Sequence, residues 1–346
     1  MKLILVTGGC GYIGSHTIVN LIENGYSVIS VDNNSRSNES ILDGVKEITG
    51  LTVKNYKVDL CNLENTQNIF KENPNISGII HFAAYKAVGE SVENPLMYYH
   101  NNLSSLINIL KCAEEYKVPH FVFSSSCTVY GSPDKLPVTE DTELKPAQSP
   151  YGSTKQMGED IVKSTVAGNA ELKAVLLRYF NPVGAHPSLA IGEMPIGKPQ
   201  NLVPVITQTA IGKMDKMHVL GSDYNTKDGT CIRDYIHVCD IAHAHTLALQ
   251  RLEKTEYSCE IFNLGSGTGY TVLEMIDTFE KLSGQSLNYD ITARRSGDVE
   301  AIFANNDKAK KDLSWRPKYD KTDMMSTAWE WEKKLSSGIA KNTQAN

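Results

Sequence analysis

Six short apolar runs mark the first half of the chain: KLILVT, YSVISVD, VKNYKVDL, GIIHFAA, HFVFSSS and KAVLLRYF. Runs this apolar, separated by helical segments, predict parallel strands covered on both faces. The alternation therefore predicts a doubly wound, Rossmann-type α/β fold. After Phe180 the rhythm changes. NPVGAHPSLAIGEMPIGKPQN is rich in proline and glycine and too long for a plain connector, which marks it as a functional segment. Beyond it HVLG, RDYIHV, EIFNLGSG and a helix from about Thr271 predict a smaller C-terminal α/β lobe. The expected division is a dinucleotide-binding domain over residues 1–180 and, mainly, a substrate lobe over 181–346. Some strands return to the first domain, and the last dozen or so residues are expected to fray.

Composition narrows the class. A formal net charge of −6, with no block of five or more like charges, argues against a nucleic-acid partner. Seven cysteines stand singly, without zinc-type spacing, and read as reduced packing residues. His243 and His245 read as helix residues, so no metal site is expected. MKLILVTGG is too short an apolar run for a secretory leader, and no membrane-length apolar stretch follows, so a cytosolic location is expected. Arginine is scarce, only seven in all, and Arg233, Arg294 and Arg295 stand in polar contexts in the C-terminal third, where forked donors could hold an anion.

The opening stretch LILVTGGCGYIGSHTIVNLIENG carries Gly8, Gly9, Gly11 and Gly14 between a strand and an amphipathic helix. Glycines permit the tight turn and the close approach of backbone to a pyrophosphate, whose charge then meets free N–H groups at the helix start. The next strand ends on Asp32, where a carboxylate accepts from ribose hydroxyls and repels a 2′-phosphate. That choice predicts NAD over NADP. VDL at 58–60 and HFAA at 81–84 follow later strands and would line the adenine and nicotinamide sides.

SPYGSTK puts Tyr151 and Lys155 at i and i+4 on a helix whose first turn holds Pro150, with Ser149 as cap. Ser126 ends the fifth apolar run, at the carboxyl edge where ligands bind in such sheets. For a tyrosine to act as a base near neutral pH its pKa must fall by about 3 units, or roughly 4 kcal/mol. An ammonium about 4 Å away offers roughly 1 kcal/mol in water but about 4 at an effective dielectric of 20. Water must therefore be excluded, and because burial itself raises the phenol, a second cation, the nicotinamide, is needed.

TGGCGYIGSH, HFAAYKAVGES, FSSSCTVYG, SPYGSTK, LRYFNPVGAHP and DGTCIRDYIHV together resemble the extended short-chain dehydrogenase/reductases, above all the branch that epimerises UDP-sugars at C4. The likeness runs from Met1 to about Trp331. It implies that Ser126, Tyr151 and Lys155 are the catalytic trio, working through a 4-keto sugar with hydride lent to bound NAD and returned. It further implies NAD contacts at Tyr12, Ile13, Asp32, Asn33, Asp59, Leu60, Phe82, Ala83, Lys86, Asn101, Ser124, Tyr179 and Phe180, besides the glycines. UDP-sugar contacts are implied at Lys86, Asn181, Asn201, Leu202, His218, Arg233, Arg295 and Asp298. Lys86 could instead be a solvated lysine, and Arg294 reads as a surface neighbour. A homodimer through helices near residues 95–117 and 150–168 is also implied.

Three alternatives stay open beside this one. A nucleotide-sugar 4,6-dehydratase would carry an Asp-Glu pair after the serine, where this chain has Cys127 and Thr128, which cannot serve as acid and base. A UDP-glucuronate decarboxylase matches less well. A non-catalytic nucleotide sensor would have no need to keep Tyr151 and Lys155. At position 302 isoleucine stands where epimerases limited to unacetylated sugars carry tyrosine, which implies room for an N-acetyl group; equally, Ile302 lies in the apolar run AIFA and could simply pack.

Overall fold

The computed structural model describes residues 1–295 and 297–343. Its first half alternates β1 (Leu3–Thr7), α1 (Tyr12–Glu23), β2 (Ser27–Val31), α2 (Ile41–Thr49), β3 (Asn55–Tyr56), α3 (Leu63–Glu72) and β4 (Ile76–His81). There follow α4 (Val88–Glu93), α5 (Pro95–Glu115), β5 (His120–Ser126), α6 (Pro150–Gly168), β6 (Lys173–Tyr179) and β7 (Asn181–Val183). The second half holds α7 (Leu202–Ala210), β8 (Met217–Leu220), β9 (Ile232–His237), α8 (Val238–Leu252), β10 (Cys259–Leu264), β11 (Gly269–Thr271) and α9 (Val272–Ser283). It closes with β12 (Tyr289–Thr292), β13 (Ala301–Ile302), α10 (Asp307–Asp312) and α11 (Lys321–Thr343). The tail expected to fray lies partly within α11, and residues 344–346 fall outside the described residues.

Seven strands form one parallel sheet in the order β10-β6-β5-β4-β1-β2-β3. Successive residues of each strand alternate between two cores, which is why the runs read as continuously apolar. Ile4, Val6, Val122, Val175 and Leu177 pack under α1, α2 and α8, while Leu5, Phe121, Phe123, Ala174 and Leu176 pack under α3, α5 and α6. The run VKNYKVDL shortens to a two-residue strand because β3 is an edge with one neighbour, and its lysines, Lys54 and Lys57, flank the paired residues. EIFNLGSG supplies β10, which joins the large sheet in register with β6 from Cys259 beside Ala174 to Leu264 beside Tyr179.

A smaller region is built from the β11-β9-β13 sheet, with β7 pairing β9, and the β12-β8 pair. Its own core joins Val203, Ile206, Met217, Val219, Met275, Phe279, Met324 and Trp329. Both regions face one cleft. Among the described residues no helix is long and apolar enough to cross a membrane.

Candidate active site

The cleft, about 520 Å³, runs along the carboxyl edge of the large sheet and is closed on the far side by the smaller region. At one end the β1–α1 turn brings backbone close. Gly8 sits at φ +69°, where a Cβ would press on the Ala83 amide, and a Cβ on Gly14 would run into the Gly8 carbonyl. Gly11 caps α1 with no side-chain acceptor, so the first-turn N–H groups stay open to the cleft. This concave cradle of backbone donors fits a pyrophosphate. Beside it, Asp32 accepts from Cys10 N at 3.2 Å, Asn34 N at 2.9 Å and the Ser37 hydroxyl at 2.8 Å. Burial raises its carboxyl pKa, and these donors oppose the rise. Aimed at the cleft beyond β2, Asp32 fits an adenosine ribose. The donor set therefore suits a dinucleotide without a 2′-phosphate.

At the next station, β5 ends on Ser126 and α6 begins at Pro150, capped by the Ser149 hydroxyl accepting from Gly152 N at 3.2 Å. The cap fixes the first turn of α6, which aims Tyr151 and Lys155 into the cleft. Lys155 is buried, and its Nζ donates to the Ser124 carbonyl at 2.7 Å. Nζ lies 5.9 Å from the centre of the Tyr151 ring. The Ser126 hydroxyl accepts from Thr128 N at 3.3 Å, and the Ser124 and Tyr179 hydroxyls bond each other. Burial lowers the Lys155 pKa to about 8, against the pull of Glu159. Burial also pushes the Tyr151 phenol well above its ordinary value, only partly offset by Ser126. Without further positive charge the phenol keeps its proton.

At the outer end Arg295 grips Asp298 with two hydrogen bonds, Nε to Oδ2 at 3.1 Å and Nη2 to Oδ1 at 2.8 Å, and Arg233 approaches the same carboxylate at 3.5 Å. Two guanidiniums share one carboxylate, which leaves net positive charge suited to a diphosphate. Asn181 donates to the Asp234 carbonyl at 2.9 Å. Glu193, in the long segment after β7, bridges Lys86 at 3.3 Å and Asn201 at 3.0 Å, so that segment forms a wall of the cleft. Ile302 both lines the cleft and packs with Val138, Phe180 and Ala304.

Gly8, Gly11, Tyr12, Ile13, Gly14, Asp32, Asn33, Asp59, Leu60, Phe82, Ala83, Lys86, Asn101 and Ser124 all line this cleft. So do Ser126, Tyr151, Lys155, Tyr179, Phe180, Asn181, Asn201, Arg233, Arg295, Asp298 and Ile302. Two residues expected there do not. Leu202 starts α7 and packs toward the smaller core. His218 faces outward to Asp290, because Met217 and Val219 on either side of it take the inward positions of β8. Arg294 stacks 3.9 Å over the Tyr224 ring and bonds Asp223, outside the cleft lining. His245 bonds the Ile241 carbonyl one turn back and packs on Phe82.

Sequence reasoning missed Arg36, which lines the cleft, stacks over Tyr85 and pairs with Glu90 at 2.6 Å. It also missed the buried pair Arg178 and Glu159 behind the serine strand. For the latter a signal existed: an arginine inside the apolar run KAVLLRYF is a charge that must find a partner.

Over residues 5–328 the chain matches the family model described as GDP-mannose 4,6 dehydratase. It is 48% identical over 335 residues to UDP-glucose 4-epimerase of Bacillus subtilis (strain 168), with 97% of this chain and 98% of that protein covered. The crystal structure of UDP-glucose 4-epimerase from Bifidobacterium longum in complex with NAD+ and UDP superposes with a TM-score of 0.94 at 43% identity, covering 97% of this chain and all of that one. The UDP-Glc/GlcNAc 4-epimerase of Campylobacter jejuni gives a TM-score of 0.82 at 36% identity, covering 96% of this chain and all of that one.

Proposed function

Because the chain belongs to the UDP-glucose 4-epimerase family, we propose that it interconverts UDP-glucose and UDP-galactose by inverting C4 through a 4-keto sugar. The observation that carries this is a single cleft holding a dinucleotide cradle at one end, Ser126, Tyr151 and Lys155 at the centre, and an arginine pair at the other. When bound, NAD supplies a positively charged ring that takes up a hydride from C4 and gives it back. Tyr151, as phenolate, accepts the 4-hydroxyl proton while that hydride leaves, and returns the proton when hydride adds to the opposite face. Atoms and electrons balance over the cycle, so no net oxidation occurs. Ser126 shares the hydrogen bond to the reacting oxygen. Lys155 supplies the fixed positive charge that lowers the phenol, and it holds the nicotinamide ribose.

The glycine loop and Asp32 hold the cofactor, with Asn33, Asp59, Leu60, Phe82, Ala83 and Asn101 lining its path. Arg233 and Arg295 take the diphosphate, Asp298 the uridine ribose, and Asn181 and Asn201 the sugar side. The dehydratase reading is not favoured, since Cys127 and Thr128 occupy the wall just after Ser126 and neither carries a carboxylate. Burial pushes the Cys127 thiol up to about 12, so it stays protonated.

Two extensions belong to this reading. Ile302 leaves the sugar end without a tyrosine hydroxyl, which supports UDP-N-acetylglucosamine as a second substrate; failure to convert it at enzyme levels that turn over UDP-galactose would refute this. The second is a homodimer. Leu96, Met97 and Ile107 on α5 and Met157 on α6 are exposed apolar residues on neighbouring helices, and a second copy of the chain would cover them. Seven free cysteines fit a reducing compartment, and the cytosol is the location proposed.

The test is to mix purified protein with UDP-galactose, without added NAD, and follow C4 by proton NMR. Appearance of UDP-glucose is expected. Turnover only after NAD is supplied would mean that the cofactor is loosely held, and no turnover even then would overturn the assignment.

A further inference from the structure

Behind the serine strand lies a charge pair that the catalytic scheme does not use. Glu159 is 0% and Arg178 2% exposed. Arg178 clamps Glu159 with both arms, Nε to Oε1 at 2.8 Å and Nη2 to Oε2 at 2.7 Å. The Ser125 hydroxyl donates to Oε1 at 2.6 Å, and Lys163 reaches Oε2 at 3.2 Å. On its other side Arg178 donates to the Tyr130 hydroxyl at 3.1 Å, which in turn donates to Asn263 at 2.6 Å. Burial alone would raise the Glu159 carboxyl, but Arg178, Ser125 and Lys163 outweigh it and hold it below its ordinary range. Glu159 is therefore an anion.

Buried ion pairs are poor stabilisers, because desolvation consumes most of the attraction, and an apolar replacement is often as stable. The placement of this one points to another use. Tyr151, Lys155 and Glu159 follow one another at i, i+4 and i+8 along one face of α6. Ser125 and Arg178 are register partners on β5 and β6. Through Glu159, α6 is thus tied to both strands within one residue of Ser124, whose carbonyl receives Lys155, and of Ser126.

We infer that Glu159 and Arg178 are positioning residues for the epimerisation: they fix α6 against the end of β5 and keep the Lys155 ammonium charged. The inference rests on the proposed function. Before Tyr151 gives up its proton, the other titratable groups around Lys155 are neutral. His81 on β4 is lowered to about 3 by burial and by Lys155 itself, while Cys127, Tyr179, Tyr151 and Tyr98 on α5 are all raised by burial. Glu90 on α4 is engaged by Arg36 and Tyr98. Glu159 is the anion left to hold the proton on Lys155 against burial.

The test compares wild type, Glu159→Gln and the double variant Glu159→Gln/Arg178→Met, which leaves no unpaired buried charge and so guards against simple unfolding of the single variant. For each, kcat and KM for UDP-galactose are measured from pH 6 to 10 with saturating NAD. The expected result is a KM close to wild type, with the alkaline limb of kcat moved down by about one pH unit and kcat at pH 8 reduced about fivefold in Glu159→Gln, and a smaller shift in the same direction in the double variant, which also loses the Arg178 cation. An alkaline limb identical to wild type, with only a lower melting temperature, would reduce the pair to structural support and overturn the inference. If wild type itself fails to turn over UDP-galactose, it is the proposed function that falls.

Discussion

Replacing Lys155 by methionine keeps most of the buried stem and removes the charge. The ammonium stands 5.9 Å from the Tyr151 ring centre. At that separation and an effective dielectric of 20 the interaction with a phenolate is about 3 kcal/mol, or about 2 pKa units. Burial already holds the phenol high, so nothing in the protein makes good the loss. The sign follows directly. In the proposed function Tyr151 works deprotonated, so activity falls as pH drops below its pKa, and Lys155 works charged, so wild-type activity is also expected to fall as pH rises past about 8. Lys155→Met should raise the acid limb of kcat by about 2 pH units, erase the limb near pH 8 and cut kcat at pH 7 about 100-fold. The assay is initial-rate conversion of UDP-galactose from pH 5.5 to 10 with saturating NAD, with Tyr151→Phe as the zero level. A kcat within about threefold of wild type, or an unmoved acid limb, would refute the electrostatic reasoning.

Gly14→Ala should yield folded protein purified without cofactor, since the new Cβ meets the Gly8 carbonyl and forces open the cradle; absorbance ratio and NAD released on acid treatment report the loss. Asp32→Ala removes the charge that repels a 2′-phosphate, so the preference for NAD over NADP should fall by about tenfold or more, about 1.4 kcal/mol, in equilibrium binding. Arg36, in the loop after β2, pairs with Glu90 on α4, the helix that follows β4, so the ion pair links the segments beyond the two strands that flank β1, and both residues line the cleft. Arg36→Ala should therefore speed NAD release, by about two- to fivefold because the pair is half exposed and weak, and an unchanged off-rate in a chase with excess labelled NAD would remove the strap from the account.

The large sheet was legible because its strands are buried on both faces, which leaves uninterrupted apolar runs in the sequence. Where a strand loses a neighbour the signal overreaches, as at the edge strand Asn55–Tyr56. The glycine turn and the gathering of Ser126, Tyr151 and Lys155 in one cleft were legible because local geometry dictates them: glycine spacing, a strand-end serine and two side chains one helical turn apart. Contacts made across the fold were not. Arg36 and Glu90 lie 54 residues apart and Arg178 and Glu159 19, and neither pair obeys a sequence period. His218 failed for a more elementary reason: which face of a short two-stranded ribbon points inward depends on the core beneath it, and here Met217 and Val219 won that side.

The central claim is that the hydride leaves C4 and returns to the same sugar. UDP-galactose deuterated at C4, mixed with an equal amount of unlabelled UDP-galactose that carries a carbon-13 label elsewhere in the sugar, tests it in one mass spectrum. The account predicts UDP-glucose in which deuterium stays at C4 of the originally deuterated molecules, with none washed into water and none crossed to the carbon-13 species. Deuterium lost to solvent would point to proton abstraction at carbon, and crossover would mean that the sugar departs before the hydride returns; either result would contradict the account.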